Sequence, residues 1–218
     1  MIPVYPYKTI PYDSYLRLSH YFRKKRKENL MFCDHYPVIT AGMQFQPKSL
    51  KVSEEWLKLH QIDFFHVKRG GDVTAHELGQ IIIYPHIDLR KRKILLQNFI
   101  DMIVSITKQT VKEIFQIELE YKKDMPGFYF DDQKVISMGL EIRAGFSSSG
   151  LAINYKNDLK TFRFIHPCGY ENLKMTTIEQ ILENQKKITN QEKKELYLEA
   201  KKIDFCKRWE ELFCSYLD

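Results

Sequence analysis

The sequence predicts an α+β domain with a mixed β-sheet core, flanking helices and a helical C-terminal appendage. Short alternating or apolar segments, typical of strands, are concentrated in the middle of the chain, and segments with helical periodicity lie at both ends. Hydrophobic residues make up 44% of the 218 residues, which is enough for a sizeable core. We therefore expect a single domain over residues 1–218, with 176–218 forming the appendage.

The first half of the chain predicts a helix, four strands and a second, longer helix. Asp13 or Ser14 can cap a helix that runs to about Asn29. Its predicted inner face comprises Tyr15, Leu18 and Phe22. Strands are predicted at 30–33, 38–40, 63–67 and 80–84. The long helix is expected after Pro85, and its apolar stripe comprises Leu96, Phe99, Ile100, Ile103, Val111 and Ile114.

The second half predicts a hairpin, one further strand and two helices. Residues 129–130 and 134–143 alternate as the two strands of the hairpin, with 131–133 as its turn. A strand at 151–154 follows the small, polar stretch 147–150. Thr176 and Glu179 have the spacing of a capping box, and a last helix is expected over about 190–216. The core candidates of that helix are Leu196, Phe205, Trp209 and Phe213.

Charge and cysteine content restrict the class of protein. The net charge is +6, with cations clustered at 23–27, 90–93, 122–123, 193–194 and 201–202. Such clusters attract an acidic partner or form a solvated helix face, and no nucleic-acid-binding motif accompanies them. The four cysteines are widely spaced and form no Cys-x-x-Cys pair, so we expect free thiols and no metal site. We see no secretory signal and no membrane span, and we expect a cytoplasmic location.

Residues 69–76, Arg-Gly-Gly-Asp-Val-Thr-Ala-His, are the first segment with chemical character, and we place them between two strands. Adjacent glycines allow the backbone to pass close to a ligand and to expose its N–H groups. Arg69 adds a fixed charge, and His76 adds a ring that can donate, accept or titrate. The spacing fits a binding loop and a tight surface connection equally well.

Lys134 is the second candidate, because it lies on an apolar strand face. With a period of two residues it shares that face with Ile136, Met138, Leu140 and Ile142. A lysine in this position either extends to water at the strand edge or is held in a pocket, where burial would make proton transfer possible near neutral pH.

Cys168 is the third candidate, because Pro167 and Gly169 place its thiol in a turn. A thiol in a turn can act as a nucleophile if a base or cation lies nearby, and otherwise it is a small buried side chain. Cys33, Cys206 and Cys214 lie among apolar residues in strand or helix patterns. His166 is too close in sequence to be assigned with confidence as the base of a cysteine hydrolase.

These segments together resemble the lipoyl(octanoyl) transferases, also called lipoate-protein ligase B. The similarity is carried, in the family's order, by residues 69–76, by Lys-Val-Ile-Ser-Met-Gly at 134–139, by Gly-Leu-Ala-Ile-Asn at 150–154 and by Pro-Cys-Gly at 167–169. The segment 35–42, His-Tyr-Pro-Val-Ile-Thr-Ala-Gly, is similar to an early strand-turn segment of the family. The similarity extends from about residue 12 to 175.

The resemblance implies a fold shared with the biotin and lipoate protein ligases and a cysteine-dependent acyl transfer. Cys168 would be the nucleophile, and Lys134 would stabilise its thiolate or accept its proton. The implied substrate-binding residues are Arg69, Gly70, Gly71, Asp72, Val73, Thr74, Ala75, His76, Ser137, Met138, Gly139, Gly150, Leu151 and Ala152. Octanoyl-acyl carrier protein would be the donor, and the acceptors would be apo lipoyl domains of 2-oxoacid dehydrogenases and the H protein of glycine cleavage. No cofactor is implied.

The chain departs from the family pattern at a few positions. Ser149 precedes Gly150 where the family often has histidine, and Glu77-Leu78 precede Gly79-Gln80 where the family usually has Gly-Pro-Gly-Gln. Two related activities stay open from the sequence: an ATP-dependent lipoate-protein ligase, for which a cysteine nucleophile would be superfluous, and an amidotransferase that moves lipoyl groups between proteins. A non-catalytic RNA-binding module would leave the three candidate segments unexplained.

Overall fold

The predicted strands assemble into two mixed sheets in the computed structural model, which describes residues 2–188 and 191–217. The strands are β1 (Val4–Thr9), β2 (Asn29–Asp34), β3 (Val38–Ala41), β4 (Asp63–His66), β5 (Val73–His76), β6 (Ile81–His86), β7 (Glu120–Lys122), β8 (Gly127–Phe130), β9 (Gln133–Arg143), β10 (Phe146–Ile153) and β11 (Lys174–Met175). The larger sheet has the order β1-β2-β6-β10-β9-β8-β7, with β11 beside β9, and the smaller sheet has the order β4-β3-β5. β1 and β2, β3 and β4, and β9 and β11 pair in parallel, and the other pairs are antiparallel.

Helices cover both faces of the larger sheet: α1 (Tyr12–Lys25) lies on one face, and α3 (Leu96–Phe115), α4 (Ile178–Asn184) and α5 (Gln191–Leu217) lie on the other. Helix α2 (Glu54–Leu59) packs on the smaller sheet. Strand β6 shows how the faces separate: Ile81 and Ile83 belong to the core beneath α3 and α5, whereas Ile82 and Tyr84 belong to the core beneath α1. This is the alternation that a strand buried on both faces must have. The architecture confirms the predicted fold class.

The last helix is held firmly against the larger core. Phe205, Trp209 and Phe213 are fully buried, and Trp209 donates its indole N–H to Thr107 Oγ1 of α3 at 3.1 Å. These three core predictions are confirmed, whereas Leu196 is 76% exposed and the prediction for it is wrong. The predicted start of this helix at residue 190 lies outside the described residues.

Some predicted boundaries are wrong for local reasons. α1 begins at Tyr12 after Pro11 and ends at Lys25, because Arg26 adopts a left-handed conformation (φ 52°) and Asn29 already belongs to β2. Neither Asp13 nor Ser14 is its cap, and Leu18 of its predicted inner face is 39% exposed.

Other errors concern strand extent and capping. β6 continues through Pro85, so α3 begins only at Leu96. The capping box is formed by Thr177 and Gln180, one residue later than expected. The stretch 147–150 lies inside β10, and residues 73–76 form β5 rather than a connection; β1, β7 and β11 were not predicted. In the described part of the chain, no helix is long and apolar enough to cross a bilayer.

Candidate active site

The β8–β9 hairpin places Lys134 in the interior. A two-residue loop, Asp131 and Asp132, joins the strands, and Tyr129 pairs with Lys134 across the hairpin. The Lys134 side chain has no exposed surface. Its amine lies beside Gly127, where a Cβ would overlap Lys134 Cε and would stand 2.9 Å from Nζ. Gly127 therefore provides the space that the lysine occupies.

Cys168 faces this amine from a strained turn. The turn Pro167–Gly169 holds Cys168 at φ 57° and ψ 19°, a left-handed conformation that is unfavourable for a residue with a Cβ. Lys134 Nζ donates to Cys168 Sγ at 3.2 Å and to the carbonyl oxygen of Pro126 at 3.0 Å. The ammonium also lies over the Tyr129 ring, 5.5 Å from its centroid. The structure thus brings together the thiol and the amine, which are 34 residues apart.

Arg69 adds a second buried cation. Its guanidinium donates to the carbonyl oxygen of Thr40 at 2.6 Å, to Thr40 Oγ1 at 2.8 Å and to the carbonyl oxygen of Gly70 at 3.0 Å. No carboxylate oxygen of the described residues lies within 4.0 Å of it. Burial lowers its pKa, and the charges of Tyr12 and Cys168 oppose that shift. An arginine remains protonated under these conditions, so the site contains a buried positive charge that makes no direct ion pair among the described residues, although the charge of Asp72 also acts on it.

A cavity of about 450 Å³ connects these groups. Its size is in the range that encloses small ligands. The predicted site residues that line it are Arg69, Gly70, Gly71, Asp72, Val73, Thr74, His76, Lys134, Ser137, Met138, Gly139, Gly150, Leu151, Ala152 and Cys168. Ala75 does not line it, and its side chain packs in the core of the smaller sheet.

The cavity has an aromatic end, lined by Tyr12, His76 and Tyr84, and His35 contacts Tyr84 from outside the lining. His35 bridges the carbonyl oxygen of Ile10 at 2.8 Å and the hydroxyl of Tyr84 at 2.9 Å. Burial lowers the pKa of His35 to about 4 and holds the pKa of His76 well below its usual range. Both rings are therefore uncharged at neutral pH, and His76 stacks on Tyr12 at a centroid distance of 5.9 Å. This end suits an apolar chain better than a charged group.

Ser149 lies beside that aromatic end. It has a left-handed φ of 58°, and its N–H donates to the Tyr15 hydroxyl at 2.9 Å. Tyr15 in turn stacks on Tyr84 at 3.8 Å. Where the family often has histidine, this chain thus has Ser149, whose backbone N–H is bonded to Tyr15.

The sequence analysis missed several residues that shape the site, namely Tyr12, Thr40, Ser49, Tyr84, Pro126 and Tyr129. Only Tyr129 had a local signal, because the predicted hairpin with its short turn already places it opposite Lys134. Thr40 lies in the segment 35–42, whose similarity to the family was noted without a role for any of its residues, and the remaining residues belong to no recognised motif.

The remaining cysteines are poor nucleophiles. Burial raises the pKa of Cys33 well above its usual value and that of Cys206 to about 12. Cys214, on α5, packs against the larger core.

His166 Nδ1 is buried and has no hydrogen-bond partner in the described structure. Among the described residues, no group of three or more His, Cys, Asp or Glu side chains is arranged to hold a metal ion.

Comparison with known proteins decides the family. The lipoyl protein ligase A/B catalytic domain matches residues 6–202. The chain belongs to this family. It is 38% identical over 177 residues to an octanoyltransferase of Leptospira interrogans, covering 80% of this chain and 82% of that protein. An octanoyltransferase of Buchnera aphidicola is 38% identical over 159 residues, covering 73% of this chain and 72% of the relative.

Solved structures of the family share the fold at low sequence identity. A lipoate-protein ligase A bound with ATP superposes with a TM-score of 0.64 at 13% identity, covering all of this chain and 95% of the other. A bipartite lipoate protein ligase from Thermoplasma acidophilum has a TM-score of 0.58 at 13% identity, covering 100% of this chain and 93% of the other. The resemblance to the lipoyl(octanoyl) transferases is confirmed, and the chain is an acyltransferase.

Proposed function

We propose that this acyltransferase moves an octanoyl group from octanoyl-acyl carrier protein, through a thioester on Cys168, to a lysine of apo lipoyl domains. The observation that carries the proposal is the contact of 3.2 Å between Lys134 Nζ and Cys168 Sγ at the wall of a largely apolar cavity. The names of the curated relatives support octanoyl as the acyl group.

In the first half-reaction, Lys134 takes the proton of Cys168. The thiolate attacks the carbonyl carbon of the octanoyl thioester, and a carbon–sulfur bond to Cys168 replaces the bond to the carrier. The carrier thiolate leaves and receives the proton from the Lys134 ammonium. Because this ammonium has no access to water, its interaction with the sulfur is weakly screened.

The negative charge on the acyl oxygen needs donors that are already in place. Backbone N–H groups of the glycine pair 70–71 and of residues 150–152 are largely occupied: Gly70 donates to the carbonyl oxygen of Leu140, and residues 150–152 lie in β10, which pairs with β6 and β9. The Lys134 ammonium is the better donor, with the buried Arg69 guanidinium adding its charge to the field of the cavity.

In the second half-reaction, the amine of the acceptor lysine attacks the octanoyl-Cys168 thioester. Neutral Lys134 takes the proton that this nitrogen loses, and Cys168 leaves as the thiolate beside the Lys134 ammonium. An amide forms at the expense of a thioester, and this difference drives transfer forward without ATP.

A basic rim supports an acidic carrier as the donor. We define it as the exposed cations Arg90, Lys91, Lys93 and Arg143, none of which forms an ion pair within 4.0 Å in the described part of the chain, although Lys91 lies near the Asp88 carboxylate. Arg90 lies across Gly145 at the β9–β10 turn, next to Ile142, which lines the cavity. Leu96, also at the cavity, is 49% exposed. Such a rim would attract an acidic domain that delivers its acyl group on a flexible arm.

Two other activities on this fold make different predictions. An ATP-dependent ligase would use a free acid and would not need Cys168, and the solved ligase bound with ATP keeps this alternative relevant. A lipoyl amidotransferase would take its acyl group from an already modified protein domain.

The free state of all four cysteines also agrees with the reducing cytoplasm that we predict for the enzyme.

Intact-mass analysis after incubation with octanoyl-acyl carrier protein tests the proposal. One octanoyl group should add to the chain, should map to the peptide that contains Cys168, and should move to an apo lipoyl domain on its addition. Cys33→Ala is the matched control, because Cys33 is also a single thiol but is fully buried. Unaltered turnover in Cys168→Ala would refute the mechanism, strict dependence on ATP would favour a ligase, and transfer only from a modified domain would favour an amidotransferase.

A further inference from the structure

Asp72, at the wall of the cavity, accepts hydrogen bonds from the protein on both carboxylate oxygens. Ser49 Oγ donates to Asp72 Oδ2 at 2.5 Å, and the N–H of Gln46 donates to Asp72 Oδ1 at 3.3 Å. The side chain is 8% exposed. Both carboxylate oxygens are therefore bonded to the segment 46–49, although the family resemblance groups Asp72 with the substrate-binding residues.

The same carboxylate packs against the turn that carries the nucleophile. An ideal Cβ at Gly169 would stand 2.7 Å from Asp72 Oδ2 and 3.7 Å from Ser49 Oγ. Ser49 also accepts the N–H of His166 on its carbonyl oxygen at 2.8 Å. Asp72 thus packs against the end of the turn at Gly169, and Ser49 holds the residue before its start, His166, through a backbone hydrogen bond.

The turn requires such support because its backbone is strained. Cys168 has a φ of 57°, which its Cβ disfavours, and Gly169 has a φ of 78°. Strained residues keep their conformation only where the surroundings impose it. Without that support Cys168 would relax, and its sulfur would move away from Lys134.

We propose that Asp72 is a positioning residue that, together with Ser49, holds the Pro167–Gly169 turn so that Cys168 Sγ meets Lys134 Nζ. Asp72 acts through the turn and need not touch the acyl group. The experiment that measures octanoyl transfer rests on the proposed function. The experiment that measures alkylation of Cys168 does not, because the contact between the thiol and the amine can be tested without any acyl donor.

The test is a double-mutant cycle on alkylation of Cys168 by iodoacetamide across pH. In the wild type, Lys134→Met should move the alkylation profile to higher pH, because it removes the cation beside the sulfur. In Asp72→Ala the same exchange should have little effect, since the sulfur no longer lies at the ammonium. Asp72→Asn keeps an oxygen that can accept from Ser49 and should keep the dependence on Lys134.

Octanoyl transfer gives a second readout. Asp72→Ala should lower kcat by about 10²-fold and change KM by less than about threefold, because misplacement of the nucleophile affects chemistry more than binding. Asp34→Ala is the matched control: it removes another buried carboxylate, 5% exposed and bonded to the N–H of Gly79, away from the turn. That control should keep the dependence on Lys134.

Ser49→Ala removes only the hydroxyl and covers the case in which Asp72→Ala does not fold. The proposal is overturned if either variant keeps the full wild-type dependence of alkylation on Lys134. It is equally overturned if Asp72→Ala raises KM and leaves kcat unchanged, which would return Asp72 to substrate binding. Failure of wild-type Cys168 to accept the octanoyl group of octanoyl-acyl carrier protein, with the alkylation cycle as expected, would refute the proposed function and leave the role of Asp72 intact.

Discussion

Lys134→Met tests the proposed pair most directly. Methionine has a similar length and fits the same apolar space, so the exchange removes the amine without opening a large cavity. Arginine is a less informative replacement, because the amine lies against Gly127 and a guanidinium would be crowded there. We therefore treat loss of the charge and of the proton carrier as the effect of the change.

The size of the effect follows from the two contacts of the amine. Loss of a positioned acid–base group slows a reaction by about 10²–10⁴-fold, which is about 3–5 kcal/mol of activation free energy. The folded state loses one hydrogen bond at the Pro126 carbonyl, which still accepts the N–H of Met138 at 3.4 Å. It also no longer buries an ammonium, so the free energy of unfolding should change by no more than about 1 kcal/mol.

The assay is the rate of octanoyl-Cys168 formation followed by mass spectrometry, with urea unfolding of the same samples. Lys122→Met is the matched control, because Lys122 lies over the same Tyr129 ring at 4.7 Å but is partly exposed. We expect it to transfer at a rate within about twofold of the wild type, as surface charges contribute little. Transfer by Lys134→Met within tenfold of the control, or a loss of stability of several kcal/mol, would refute our reasoning.

Three further predictions concern pH, packing and charge. Burial lowers the pKa of His35 to about 4, so between about pH 6.5 and 4 only the unfolded state gains this proton, and the free energy of unfolding falls as pH falls through that window. In urea titrations, His35→Gln should remove about 2 kcal/mol of the stability that the wild type loses between pH 6.5 and 5. An unchanged dependence of the unfolding free energy on pH would contradict this. In Gly150→Ala the new methyl group would overlap the carbonyl oxygen of Ile83, so thermal unfolding should show a loss of stability of about 1–3 kcal/mol. Gly70→Ala is the control and should lose less than about 1 kcal/mol, because the atom nearest to its new methyl group, the carbonyl oxygen of Leu140, is 3.6 Å away. Equal losses in the two variants would show that β6 can move aside. Reversal of the basic rim should raise KM for the carrier and weaken its dependence on ionic strength without slowing alkylation of Cys168, whereas salt-independent kinetics would show that these cations are only a solvated surface.

The local pattern of the sequence determined much of the fold class and singled out both groups that we propose to react. Alternation over 134–143 identified a strand with an apolar face, and the structure confirms the strand. The sequence left open whether Lys134 extends to water or is held in a pocket, and the structure buries it. Pro167 and Gly169 identified a turn at Cys168, which the structure also contains. These features depend on neighbours within a few residues, so periodicity and turn chemistry suffice to predict them.

Element ends were predicted less well because competing contacts set them. The extension of β6 through Pro85 depends on its pairing with β2, where Leu30 lies opposite Pro85. The exposure of Leu196 depends on which side of α5 meets α3, and helical spacing alone allows more than one choice.

Only the tertiary structure decided which distant residues meet. Met175 of β11 pairs with Lys134, so the chain that leaves the Cys168 turn returns beside the lysine. Asp72 reaches Ser49 and Gly169 from a third segment, and Thr40 accepts the guanidinium of Arg69 from a fourth. The residues in these contacts are at least 23 positions apart in the sequence. The distances between their atoms depend on strand register and sheet packing. A one-dimensional pattern contains the residue types that such a site needs, but packing in three dimensions determines their geometry.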